Sequence, residues 1–100
     1  MTVIHTVTWT ALPTATPEKL AAAKEALLTL IAIPGCKRVQ FGETFTTERA
    51  RGYTHQLVVE LENKDTLASY GPHPMHQAVL QNHLKHLFDL STTLAIDFEC

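Results

Sequence analysis

The stretch SYGPHPMH, residues 69–76, separates two helices in the second half of the chain and concentrates groups that can move protons. Gly71-Pro72 ends the segment before it, and Pro74 restricts His73 to extended backbone, so a new helix is predicted to begin at Pro74. His76 then lies in the first turn, where the positive end of the helix dipole disfavours imidazolium. The stretch therefore predicts a neutral histidine that can accept a proton.

An apolar stripe begins at His76. Leu80, Leu84 and Leu87 follow it at intervals of four, four and three residues, which is the spacing of one helical face. His76 is therefore expected to face the core, and Tyr70, which ends the preceding helix, can reach the same space. A phenol and a neutral imidazole in one apolar space form a candidate proton-transfer pair. The alternative is a structural histidine that is satisfied by the tyrosine hydroxyl.

Composition favours a single domain over residues 1–100, with one core and one site at most. Hydrophobic residues make up 45% of the chain, and the formal charge is −2 with scattered basic residues, which argues against a nucleic-acid partner. Cys36 and Cys100 have no metal-ligand spacing, and no apolar run has the length of a membrane span. A reduced, cytoplasmic protein without a membrane partner is therefore expected.

The hydrophobic pattern predicts the order β-α-β-β-α-β, with a short extra helix before the last long one. The predicted elements are strand Val3–Trp9, helix Pro17–Ile31, strand Cys36–Phe45, strand Tyr53–Leu61, helices 63–70 and 74–88, and strand Leu90–Phe98. This order is typical of an α+β, ferredoxin-like protomer whose first and third strands are central in an antiparallel sheet. Helices on one face would leave the other uncovered, so a homodimer is expected to bury it.

The same patterns predict which side chains face the core. In helix one these are Leu20, Ala23, Leu27, Leu30 and Ile31, and in strand two they are Val39, Phe41 and Phe45. The last strand is expected to present Leu90, Thr92, Leu94, Ile96 and Phe98 on one face. His5 and His55 fall in the apolar sets of neighbouring strands, so they are expected to share a layer with Tyr70 and His76.

Motifs in this order resemble the stress-responsive dimeric α/β-barrel family. They are His5 in strand one, Ile33-Pro34, Phe41-Gly42, Gly52-Tyr53-Thr54-His55, and Tyr70-x-x-His73-Pro74-x-His76 before the last helix. The resemblance covers nearly the whole chain. It implies a ferredoxin-like protomer whose sheet pairs with that of a second copy to close a dimeric α/β barrel, with the helices outside.

The resemblance also implies an activity, through similarity to a plant polyketide cyclase of that family. The reaction would be a cofactor-free and metal-free, aldol-type ring closure of a poly-β-keto substrate, a small apolar carbonyl or polyketide ligand. His76 would be the catalytic base and Tyr70 the residue that assists it. The substrate-binding residues would be His5, Val7, Trp9, His55, Leu57, His73 and Val79.

Other interpretations of these residues stay open. Family members without established catalysis make a non-catalytic stress-responsive or small-ligand-binding barrel the main alternative. His73 with His76, and His83 with His86, have the spacing of a helical metal pair, but no carboxylate or cysteine completes either set. A haem-dependent monooxygenase would also use a pocket histidine, although no residue stands out as an axial ligand.

Overall fold

The computed structural model describes residues 1–100 as a four-stranded antiparallel sheet with helices on one face. The strands are β1 (Val3–Ala11), β2 (Cys36–Glu43), β3 (His55–Leu61) and β4 (Phe88–Glu99), in the spatial order β2-β3-β1-β4. The central pairing of β1 with β3 runs from Val3 opposite Leu61 to Trp9 opposite His55. This is the ferredoxin-like arrangement, and it confirms the fold class predicted from the order of elements.

Local capping explains where the helices begin. Helix α1 (Pro17–Leu28) starts with Pro17 at its first position, and the Thr16 hydroxyl accepts the Lys19 N–H at 3.2 Å. Asn63 caps α2 (Lys64–Tyr70) in the same way. The last helical run consists of α3 (Pro74–Val79), a π-helical segment (Leu80–Leu84) and α4 (Lys85–Leu87). None of these helices is both long and apolar enough to cross a membrane.

Two side chains predicted to face the core are exposed. Ile31 is 46% exposed because it lies in the 3₁₀ turn Thr29–Ala32, where three residues per turn replace the α-helical 3.6 that placed it inward. Phe45 is 98% exposed because β2 ends at Glu43, so its alternation does not extend that far. Leu27, Leu30 and Phe41 are buried as predicted.

An irregularity in β4 corrects the predicted face of that strand. The β1–β4 register passes from Thr8 opposite Leu94 to Thr10 opposite Asp89, so β4 carries extra residues at this point. The Thr10 N–H donates to the Thr92 hydroxyl at 3.0 Å instead of to a backbone carbonyl. Leu90 consequently faces the helices, whereas Leu94, Ile96 and Phe98 face away from them.

The sheet face opposite the helices, which we call the outer face, is uncovered and apolar along β4 and β1. The register places Ile4 opposite Phe98, Thr6 opposite Ile96 and Thr8 opposite Leu94. Leu94, Ile96 and Phe98 are 45%, 58% and 52% exposed. A contiguous exposed apolar surface of this kind is typical of an interaction site.

The turn before β2 depends on glycine at position 35. Gly35 has φ +84°, and a Cβ built there would lie 2.6 Å from Thr66 Cγ2. Thr66 cannot easily retreat, because it is buried and its N–H and hydroxyl both donate to Asn63 Oδ1. We expect Gly35→Ala to lower the free energy of unfolding by about 2–4 kcal/mol, the sum of left-handed backbone strain and overpacking.

Urea unfolding of Gly35→Ala beside Gly42→Ala tests this expectation. Gly42 has no heavy atom within 4 Å of a built Cβ, so its substitution adds no clash. Equal losses of stability in the two variants would contradict the packing explanation.

Candidate functional site

A cavity of about 310 Å³ lies between the helices and the helix-facing side of the sheet. Twelve of its sixteen lining residues are hydrophobic, which makes it an apolar pocket with a few polar groups. The sheet contributes His5, Val7, Trp9, Leu57, Leu90, Thr93 and Ala95, and the helical segments and the turn after α2 contribute Leu27, Leu30, Leu67, Tyr70, Gly71, His76, Val79, Leu80 and Leu84.

Tyr70 and His76 meet at this cavity as the sequence predicted. Their ring centroids are 4.8 Å apart, and Tyr70 is only 1% exposed. The Tyr70 hydroxyl and His76 Nδ1 are both buried, and neither has a hydrogen-bond partner in the protein. Because buried polar atoms are almost always paired, two unpaired atoms on neighbouring rings distinguish this site from a structural tyrosine–histidine hydrogen bond.

Burial controls the protonation of both residues. It lowers the pKa of His76 below its ordinary value. A backbone hydrogen bond to Gly71 opposes this shift, and electrostatic repulsion from His5 adds to it. Burial also raises the pKa of Tyr70, with a smaller contribution from Cys36. At neutral pH the site therefore holds a neutral imidazole and a neutral phenol, which are a proton acceptor and a hydrogen-bond donor.

His5 is the third polar side chain of the cavity. Its Nδ1 donates to Asp97 Oδ1 at 2.5 Å, across the β1–β4 pair in which the two residues are directly opposite. Its ring packs edge-on against Tyr70, with the centroids 5.6 Å apart. Asp97 was not singled out from the sequence, although an alternating last strand beside β1 would have placed a carboxylate next to His5.

Two residues predicted to bind substrate do not line the cavity. His73 caps α3, where its Nδ1 accepts the Met75 N–H at 3.1 Å. His55 is buried in an aromatic cluster, stacked on Phe41 at 5.6 Å and edge-on to Phe88 at 5.2 Å. A backbone cap and an aromatic cluster account for the positions of these two side chains, and their role in substrate binding stays a prediction.

His55 instead contacts a second, more open depression of about 630 Å³ on the outer face. The loop between β2 and β3 forms much of its wall, including Arg49 and Arg51. His55 Nε2 lies 3.5 Å from the exposed Glu43 carboxylate, and its Nδ1 is 2.8 Å from the Thr54 hydroxyl. Neither Tyr70 nor His76 lines the larger depression, so the smaller cavity is the better candidate for a catalytic site.

The apolar part of the cavity wall was largely missed. Leu27 and Leu30 line it from α1 and the turn that follows, whereas the neighbouring Ala21 and Ala22 point to solvent. The helical spacing of Leu27 and Leu30, which places both on the inward face, was the sequence signal for this part of the wall. No cluster of three or more histidine, cysteine, aspartate or glutamate side chains is arranged to hold a metal ion.

A family model for the stress-responsive A/B barrel domain matches residues 3–100. The chain belongs to this family. A crystal structure of an Arabidopsis thaliana protein is 26% identical, with a TM-score of 0.85, over 98% of this chain and 94% of that one. A dimeric ferredoxin-like protein of unknown function from Thermobifida fusca is 29% identical, with a TM-score of 0.81, over 100% and 92%.

Other solved structures share the fold at lower identity. A hydroxynitrile lyase from Passiflora edulis is 14% identical, with a TM-score of 0.82, over 97% of this chain and 91% of that one, which shows a common fold alone. Ferredoxin-like proteins from Bacteroides fragilis and Jannaschia are described as dimeric, like the Thermobifida protein. No curated protein matches the chain significantly in sequence.

The buried histidines predict a loss of stability in acid. The pKa values of His55 and His76 are both lowered in the fold, chiefly by burial, from the ordinary 6.5. Below about pH 6.5 the unfolded chain then binds more protons than the folded protein, so unfolding becomes easier as the pH falls. We expect the free energy of unfolding to decrease between about pH 7.5 and 5.5.

Urea unfolding across this pH range measures the effect. His76→Ala is expected to reduce the pH dependence, whereas His86→Ala, at an exposed position on the same helical run, serves as the control. An equal reduction in both variants would contradict the assignment to buried imidazoles.

Proposed function

We propose that the protein is a cofactor-free, polyketide cyclase-like enzyme that closes a ring in a small poly-β-keto substrate. The observation that supports this proposal is the pair of open polar atoms, the Tyr70 hydroxyl and His76 Nδ1, beside one apolar cavity. Such a pair needs a ligand that offers a hydrogen-bond acceptor and a proton close together. A chain of alternating carbonyl and methylene groups offers both.

The reaction uses these two residues together. A methylene between two carbonyls is acidic, and His76 Nδ1 takes its proton while the Tyr70 hydroxyl donates a hydrogen bond to the enolate oxygen. The enolate carbon attacks a distant carbonyl of the same chain, so a carbon–carbon bond forms and the carbonyl π bond breaks. The new alkoxide takes the proton back from His76, and loss of water and enolisation give the aromatic ring.

His5 and Asp97 complete the polar side of the site. Since His5 Nδ1 donates to Asp97, the opposite ring nitrogen is free to accept a hydrogen bond from an enol hydroxyl of the substrate. His5 would thus hold the folded chain against Tyr70, while the leucine-rich wall takes its alkyl end. The cavity volume of about 310 Å³ favours a short alkyl end.

Ring closure of a linear triketo methyl ester is the direct assay. The product is a methyl dihydroxybenzoate with the alkyl group on the ring. Its formation is followed by ultraviolet absorbance, and its identity is checked by mass. Tyr70→Phe is expected to slow cyclisation by about a hundredfold or more, since it removes the one hydroxyl donor at the enolate oxygen. Stability should not decrease, because the hydroxyl has no protein partner to lose.

Two outcomes would contradict this proposal. A Tyr70→Phe variant that is less stable but equally active would indicate a structural hydroxyl. A wild-type protein that binds the product tightly without accelerating ring closure would be the small-ligand-binding barrel of the alternative hypothesis.

The outer face supports a second proposal, that the protein is a homodimer joined through it. Leu94, Ile96 and Phe98 form an exposed apolar row along β4, and several proteins of the same fold are described as dimeric. A second copy related by a twofold axis would bury the same row on both sides.

A further inference from the structure

We infer that the substrate occupies the cavity in an uncharged form, as a ketone or an ester, and that the corresponding free carboxylic acid binds much more weakly. The inference rests on the proposed function for the class of substrate. It adds a selectivity for charge, which follows from the groups that line the cavity.

No permanent cation lines the cavity. The chain contains eight lysine and arginine residues, and none of them is a lining residue. The titratable groups at the cavity are His5 from β1, Tyr70 from α2 and His76 from α3, whereas α1, β3 and β4 contribute no ionisable side chain. Asp97 of β4 already pairs with His5, so any positive charge on that imidazole is matched within the protein.

A carboxylate in this cavity would lose its hydration and gain little in return. The Tyr70 hydroxyl is the one buried open donor, and the rest of the wall is mainly leucine and valine. An anion that is buried without a cation is strongly disfavoured. A ketone or ester oxygen needs only one donor and carries no such penalty.

Protonation of His76 would supply the missing cation but would remove the base. An imidazolium has no free lone pair, so it cannot take a proton from carbon. An acid that entered as a pair with protonated His76 would therefore occupy the site without reacting. Tyr70 and neutral His76 therefore suit an uncharged dicarbonyl substrate, whereas a carboxylate would bind only with His76 protonated and unable to act as a base.

Trp9 provides a direct reporter of binding. It is the only tryptophan in the chain, and it lines the cavity. The probes are an alkyl dihydroxybenzoic acid and its methyl ester, which differ in charge at one position. At about pH 8 we expect the ester to bind on the order of a hundredfold more tightly than the acid. Equal binding, tighter binding of the acid, or no binding of either probe would overturn the inference.

A variant that adds a cation tests charge as the cause. Thr93 is exposed on β4 and lines the cavity, so Thr93→Lys can place an ammonium at the mouth. We expect the affinity for the acid to rise at least about tenfold, with a much smaller change for the ester. If circular dichroism shows that this variant is unfolded, Ala95→Lys offers a second exposed lining position. An unchanged acid affinity in a folded variant would overturn the inference.

Binding and turnover separate this inference from the proposed function. A protein that selects the ester but does not accelerate ring closure contradicts the proposed function and leaves the charge selectivity standing. A protein that cyclises the triketo ester and the free triketo acid at equal rates retains the proposed function and contradicts the inference.

Discussion

Replacement of His76 by alanine is expected to lower the rate of ring closure by roughly 10²–10⁴-fold while the protein stays folded. His76 Nδ1 is the one buried histidine nitrogen at the cavity that has no hydrogen-bond partner, and the His76 and Tyr70 ring centroids are 4.8 Å apart. We assign His5 to holding the substrate rather than to proton abstraction, because its ring centroid lies 5.6 Å from that of Tyr70, compared with 4.8 Å for His76. Steady-state kinetics with the triketo methyl ester measure the loss as a fall in kcat.

The matched control for this prediction is His86→Ala. His86 is exposed on the same helical run and does not line the cavity, so its loss should leave kcat within about twofold. Thermal unfolding of both variants separates loss of the base from loss of the fold. A folded His76→Ala protein with wild-type kcat would remove this residue from the mechanism.

Ile96→Asp is expected to convert the proposed homodimer into a monomer. Ile96 lies in the middle of the exposed row on β4, opposite Thr6 of β1, and is 58% exposed in the single chain. In a twofold interface the substitution occurs on both sides, and each carboxylate would be buried without a partner at a cost of several kcal/mol. The dimer dissociation constant should rise by about three orders of magnitude or more.

Sedimentation or light scattering at micromolar concentration measures this change. Ile31→Asp is the control, since Ile31 is similarly exposed, at 46%, but lies in the 3₁₀ turn away from the outer face. It should leave the dimer intact. A wild-type monomer, or an Ile96→Asp protein that still dimerises like the wild type, would contradict the proposed interface.

The pairing of Tyr70 with His76 was accessible from the sequence because its geometry is local. A helix end at Tyr70, a turn through Gly71-Pro72 and a helix start at Pro74 lie within a few residues, so their side-chain directions follow from short-range rules. The neutral state of His76 was predicted from the helix dipole, whereas the structure assigns it mainly to burial. The direction was correct, but its main cause is a tertiary contact.

Local periodicity by itself determined the strands, the helices, their order and the facing of Tyr70 and His76, because spacing of two or 3.6 residues is written within each segment. Only the tertiary structure decided that Asp97 holds His5, that Leu90 and Leu94 lie on opposite faces, and that His55 packs among aromatic rings away from the cavity. These outcomes depend on the register between strands distant in sequence and on a bulge in one of them. A pattern read along one strand contains neither.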